Sequence, residues 1–322
     1  MPTDSWERAR RLLSAGGLDA GALTAVRPLG GGTYNEVEEV RLADGTRYVL
    51  KVPPPETVPG LAHERRLLVS EAEFCRAAAA VAVPVPRVVA ATGRELLMTA
   101  CPGDPWDETL PDADRRRLRT ELGRGTALLH TVTGPGFGYP SGALGPLAAD
   151  WRTAFTGMLD AVLDDARRYR PWLPRPLDAI AGPLRAALGA LDAVTEPRLV
   201  HFDLWPGNIL VDRSGAEPRI GGLIDGERMF WGDPVADLVS TALLGDIAED
   251  ADFLAGYREA GGVIGFDPAT RLRLALYRAY LYLIMLTETV PRAADEDGLA
   301  WRRQYVGPQL EAALDEISGL GR

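Results

Sequence analysis

A chain of 322 residues with 46% hydrophobic and 25% charged content holds enough apolar material for two lobes, each with its own core. Its formal net charge of −10 argues against a nucleic-acid binder, whose affinity rests on clustered Lys and Arg. The most apolar run, residues 279–287, is too short to span a bilayer, so no membrane partner is expected either. Cys75 and Cys101 show no metal-ligand spacing, and no apolar segment opens the chain. The expected location is cytoplasmic, with monomer and homodimer both open.

In chain order, the first organised stretch is "VRPLGGGTYNEVEEVRLADGTRYVLKV", residues 26–52. It reads as three strands, with a glycine triplet in the first turn and the Asp44-Gly45 turn dipeptide in the second. Gly30, Gly31 and Gly32 let a backbone approach a ligand closely and aim N–H groups at phosphate, and Thr33 and Asn35 add polar groups at the tip. The third strand ends at Lys51, the single lysine among 35 Lys and Arg residues, which leaves 34 arginines. A composition that uses Arg almost everywhere marks Lys51 as a place where a compact ammonium serves and a planar guanidinium does not.

Residues 61–81 carry a helical period that stops at Pro84 and Pro86. A carboxylate on this helix is expected to pair with Lys51. Glu71 is preferred because Glu73 has Arg76 at i+3 as a surface partner, and Glu64 stays open. Two strands joined near Gly93 follow, then a Pro- and Gly-rich connector at 100–105. The connector divides a strand-rich lobe, 1–99, from a larger helical lobe, 106–322, with helices expected at 111–130, 148–169, 176–194, 233–260 in two pieces, 267–290 and 299–318.

Inside the helical lobe lies a contrasting segment, "RLVHFDLWPGNILVDRSGAEPRIGGLIDGERMFWGDPVADLV", with two short strand-like runs. His201, Asp203 and Asn208 form H-x-D-x-x-x-x-N, and Asp225 follows the second run. Such an aspartate accepts a proton from an attacking hydroxyl, while an asparagine oxygen and a second aspartate are hard ligands suited to Mg2+. His201 is expected to orient the loop more than to act chemically.

Taken together, the Gly-rich hairpin, Lys51, a helix acid, the connector, "HFDLWPGN" and "LIDGERMFWGDPVADL" resemble the aminoglycoside phosphotransferase family, the small-molecule branch of the protein-kinase-like superfamily. The resemblance covers nearly the whole chain. It implies an α+β bilobal fold, an antiparallel-sheet lobe before a mainly helical one, and transfer of the γ-phosphoryl group of ATP to a hydroxyl of a small molecule. Carried over by position, Lys51 holds the α and β phosphates, Glu71 pairs with it, and Met98, Thr99, Ala100 and Cys101 contact adenine. Asp203 is the base, and Asn208 and Asp225 hold Mg2+. Phe202 and Gly226 depart from the family's frequent Gly or Ala after the motif His and Trp after the metal Asp.

The acceptor is far less legible. Glu227, Trp231, Asp246, Glu249, Tyr277, Tyr280, Tyr282 and Glu288 are candidates to line its site. An aminoglycoside or another antibiotic, a metabolic sugar or amine, and a natural-product intermediate remain open as acceptors, and a nucleotide-binding pseudokinase is the alternative of another class. A protein kinase fits poorly, because Trp231-Gly232-Asp233-Pro234 leads straight into a helix and leaves no long activation loop after Asp225.

Overall fold

Alternating apolar and polar residues at the N-terminal end build an antiparallel sheet, β1 (Leu23–Pro28), β2 (Glu36–Leu42), β3 (Arg47–Val52), β4 (Val88–Ala91) and β5 (Leu96–Thr99), in the order β1-β2-β3-β5-β4. The computed structural model describes residues 2–30, 34–107 and 109–320. The two-residue period of β3 sends Tyr48 and Leu50 to one face, where they meet Val40, Leu97 and the buried Ala9, Leu12 and Leu13 of helix α1 (Pro2–Ala15). Val49 and Lys51 face the other way, toward helix α2 (Leu67–Ala79), whose Leu68 and Ala72 pack on Leu96 and Met98. This face matters most, because it turns the lysine toward a helix that carries acids.

Helix α1 has no counterpart in the sequence reading. Its arginines obscured a narrow apolar stripe. The helix expected over 61–81 is also shorter: residues 62–64 form a 3-10 turn, Arg66 adopts a left-handed φ of 65°, and α2 starts after it.

Thr99 closes the first sheet, and at Asp104–Pro105 (β6) the chain already pairs with a second one. There β8 (Ile209–Asp212) lies between β6 and β9 (Arg219–Leu223), and a separate pair joins β7 (Arg198–Val200) to β10 (Phe230–Gly232). Around these short strands pack α3 (Asp112–Leu129), α4 (Trp151–Tyr169), α5 (Leu177–Ala187), α6 (Asp237–Thr241), α7 (Ala251–Glu259), α8 (Pro268–Thr287), α9 (Glu296–Trp301) and α10 (Gly307–Leu320), with a π-helical turn between the last two. Helix α8 is buried nearly all round, and Trp151, Phe155, Phe202 and Phe230 pack beside it in one core.

Candidate active site

Lys51 is buried, and its Nζ lies 2.6 Å from Glu71 Oε1 while also bonding Asp225 Oδ1. Burial disfavours the ammonium, yet the two carboxylates outweigh it and raise the lysine pKa, so Lys51 stays charged. Asp225 sits in the left-handed region at φ 59°, which turns its carboxylate back over the sheet. Burial opposes its ionisation, but Lys51 prevails and holds its carboxyl below the usual range. Of the other acids on the expected helix, Glu64 is taken by Arg292, and Glu73 makes no ion pair with Arg76 among the described residues.

Gly226 follows Asp225 because nothing larger fits there: a Cβ would lie 2.2 Å from the Phe74 ring of α2. The same ring meets His201 edge-on at 4.7 Å between centroids. Phe74 thus occupies the place where a bulkier residue after the aspartate would stand.

The loop after β7 hangs on one acid that the sequence reading passed over. Asp237, fully buried at the start of α6, accepts from His201 N at 3.0 Å and Phe202 N at 2.6 Å, and its Oδ2 lies 3.1 Å from His130 Nε2. Ser240 accepts from Leu204 N at 3.0 Å. These bonds hold Phe202 at a left-handed φ of 65° and point Asp203 outward. The signal lay in "PVADLV", where one acid interrupts an apolar run.

His201 itself reaches only backbone. Its Nε2 donates to the Ile224 carbonyl at 3.0 Å, its Nδ1 accepts from Asp203 N at 3.2 Å, and burial lowers its pKa, so the ring is neutral with both nitrogens committed. Both ring nitrogens are thus committed to the loop backbone, the arrangement that an orienting role would use. Asp203 is half-buried, and Asn208 Nδ2 donates to its Oδ2 at 3.0 Å and to its backbone carbonyl at 2.8 Å. Burial raises the Asp203 pKa, opposed by the Arg228 guanidinium, whose Nε is 4.0 Å away. Among the described residues nothing donates to Asn208 Oδ1.

Glu227, expected among the acceptor-site candidates, lies at the corner of Lys51, Glu71 and Asp225. Its Oε2 accepts from Asn35 Nδ2 at 2.6 Å, and with Glu71 and Asp225 it forms a group whose ligand oxygens lie within 4.8 Å of one another. Its carboxyl is pushed up to about 8, mainly by burial and further by Glu71 and Asp225. An all-oxygen set of this kind, with Asn208 Oδ1 uncommitted, fits a hard divalent cation. Gly30 is exposed, whereas Gly31, Gly32 and Thr33 lie outside the described residues.

At the connector, Thr99 exchanges hydrogen bonds with Arg87, its N donating to the Arg87 carbonyl at 2.9 Å and its Oγ1 accepting from Arg87 N at 2.8 Å, and Ala100 N donates to the Arg47 carbonyl at 3.1 Å. The Met98 side chain is buried against α2, and Cys101 packs on Gly222, where a Cβ would lie 2.7 Å from the thiol sulfur. The aromatic candidates for the acceptor site are core residues. Trp231 covers Gly134, Tyr277 bonds Asp233 at 2.7 Å and receives Trp151 Nε1 at 2.7 Å, Tyr280 meets Tyr139 at 3.1 Å, and Tyr282 is fully buried. Asp246 and Glu249 are exposed, Asp246 serving to cap a 3-10 turn through Ala248 N at 2.9 Å. Glu288 is buried and bonds Arg228 at 2.8 Å.

Two expected results follow. Asp237→Ala leaves the His201 and Phe202 N–H groups buried without an acceptor, at about 1–3 kcal/mol each, so chemical denaturation should show a loss of about 3 kcal/mol together with collapse of activity. Stability within about 0.5 kcal/mol of the unaltered chain would contradict this anchor. The second concerns acid. Burial takes the His63 pKa down from 6.5 to about 4, so between those values the unfolded chain binds a proton that the folded chain refuses. The His63 contribution is therefore full above about pH 6.5 and falls as pH drops toward 4, His201 contributing in the same direction, while the raised Glu227 carboxyl works in the opposite sense. Melting curves at pH 7.5 and 5 should therefore shift against each other in His63→Leu, which gains stability at pH 5 relative to pH 7.5 when compared with the unaltered chain; the same difference between the two pH values in both proteins would refute it.

The profile of the phosphotransferase enzyme family matches residues 25–277. A Lactiplantibacillus plantarum protein named as a ketoamine kinase is 29% identical over 287 residues, covering 84% of this chain and 91% of its own. A Thermobifida fusca structure described as a fructosamine-3-kinase superposes with a TM-score of 0.68 at 23% identity, covering 95% of this chain and 98% of the other. The ternary complex of APH(2")-IIa with streptomycin and ATP gives a TM-score of 0.61 at 16% identity over 98% of each chain. No helix among the described residues is long and apolar enough to cross a membrane. With the family profile spanning 25–277 and the protein-kinase-like bilobal fold around Lys51 and Asp203, the chain belongs to the phosphotransferase enzyme family and is a small-molecule kinase.

Proposed function

We propose that this kinase moves the γ-phosphoryl group of ATP to a hydroxyl of a sugar-derived ketoamine. The observation that carries the kinase site is the buried Lys51–Glu71 pair at 2.6 Å, facing Asp225 across the cleft from Asp203. Lys51 holds the phosphates and Glu71 keeps it aimed. Asp203 takes the proton of the acceptor hydroxyl on Oδ1, because Oδ2 is already engaged by Asn208. Asn208 and Asp225, with Glu227 beside them, would hold Mg2+, which when bound neutralises charge developing on the phosphate oxygens. Met98 to Cys101 contact adenine, chiefly through backbone because the Met98 side chain turns inward.

The ketoamine reading draws support from the names of two relatives matched over most of their length, and from charge. Near Asp203, Glu288 is paired with Arg228 and Arg292, and Glu64 with Arg292. Carboxylates already neutralised by arginine offer little to an aminoglycoside with several ammonium groups, but they accommodate a polyol that carries a single amine. Aminoglycoside inactivation is the second reading, favoured by the fold shared with APH(2")-IIa. Coupled ADP release should show turnover of 1-amino-1-deoxyfructose well above that of free sugars, kanamycin-type aminoglycosides and macrolides. Preference for an aminoglycoside would reverse the assignment, and ADP binding with no turnover on the whole panel would favour the pseudokinase.

A further inference from the structure

Residues 60–64 precede α2 and belong by sequence to the sheet lobe, yet the helical lobe grips them at four points. Tyr169 OH donates to the Gly60 carbonyl at 2.8 Å, and Ala62 N donates to Asp165 Oδ2 at 2.7 Å. The His63 ring stacks on Tyr139 at 5.6 Å and 15° between planes, and the Glu64 carboxylate pairs with Arg292. Directly afterwards Arg66 turns left-handed and α2 begins, carrying Glu71 in its second turn. Farther along, Phe74 of α2 rests on Gly226 and on His201. Helix α2 is therefore fixed at its start and its middle by the lobe that carries Asp203 and Asp225.

We infer that Asp165, assisted by Tyr169, is a positioning residue for the nucleotide site: it holds Ala62 and so the start of α2, which sets Glu71 against Lys51. Asp165 is a buried carboxylate whose one hydrogen bond among the described residues goes to a backbone N–H 103 positions away. Burying a carboxylate for a single amide is unfavourable unless that amide has to be kept in place. The two lobes meet through this strap, so the Lys51–Glu71 pair stands assembled without help from the acceptor.

The inference rests on the reading of Lys51 and Glu71 as the phosphate-holding pair, and its test uses no acceptor. Calorimetric titration with MgADP compares the unaltered chain with Asp165→Ala, Asp165→Asn, Glu71→Gln and the Asp165→Ala/Glu71→Gln double variant. Asp165→Ala should weaken ADP binding about fivefold. Asp165→Asn, whose Oδ1 still accepts from Ala62 N, should stay within about twofold of the unaltered chain. In the Glu71→Gln background Asp165→Ala should add nothing, because its effect passes through Glu71. Should Asp165→Ala fail to fold, Tyr169→Phe removes only the hydroxyl that holds Gly60 and should show the same dependence on Glu71. Unchanged ADP affinity in Asp165→Ala or Tyr169→Phe, or a full additive loss on top of Glu71→Gln, overturns the role. Absence of ADP binding by the unaltered chain removes the proposed function itself, which is a separate outcome.

Discussion

Asp203→Asn is expected to lower kcat by about 10²–10⁴, the range that a positioned general base contributes, while MgADP affinity stays near that of the unaltered chain. The geometry makes this a clean substitution. An amide oxygen at 203 still accepts from Asn208 Nδ2, now at 3.0 Å from the carboxylate, and Arg228 keeps Glu288 at 2.8 Å when the charge 4.0 Å away is gone. The loop itself hangs on Asp237, which the change does not touch. Only the proton acceptor disappears. Steady-state kinetics beside ADP calorimetry checks it, and kcat within about tenfold of the unaltered chain would mean that another group takes the proton.

The residues that the structure gathers around this cleft were legible because each combined a rare type with a fixed spacing. Lys51 stood out against the arginines, and Asn208 is one of two asparagines, five positions after Asp203. The strands were legible for another reason: turn residues at Gly30–Gly32 and Asp44-Gly45 bracket runs of period two. What escaped depended on the third dimension. A tyrosine on α8 has the same local pattern whether its hydroxyl faces a cleft or a buried partner, and Tyr277 and Tyr280 find theirs in Asp233 and Tyr139 inside the core. Period alone has no view of what packs opposite. Asp237 looked like any helix-start acid until its three donors were in place, and the break at Arg66 was hidden because the contacts that tie 60–64 down come from residues about 75 to 230 positions later. Glu227 was one acidic candidate for the acceptor site among several in the helical lobe; the turn after Asp225 folds it toward Asn35.

Lys51→Arg is expected to cost about a hundredfold in kcat/KM, because a displacement of about an ångström from the aligned geometry is enough for a loss of that size. The substitution keeps the charge and changes only shape. Lys51 Nζ stands between Glu71 and Asp225 in a site that leaves the residue 5% exposed, where a single point charge meets both carboxylates. A guanidinium is longer and planar, and it cannot bond Glu71 in the plane of its fork while also reaching a triphosphate on the same side without pushing α2 off the sheet. Chemical labelling supplies a second view of the same residue. With no other side-chain ammonium in the chain, an amine-reactive ATP analogue can modify only Lys51 or the terminal amine, so peptide mapping reads one internal site. Labelling should be slow, since Glu71 and Asp225 hold the lysine protonated, faster in Glu71→Gln, and blocked by MgATP. An indifferent surface lysine behaves otherwise on every count: arginine replaces it freely, its labelling ignores the nucleotide, and removing Glu71 leaves its reactivity unchanged. Full activity in Lys51→Arg together with MgATP-independent labelling would therefore separate Lys51 from the phosphates, and with it the reason why this one cation is a lysine.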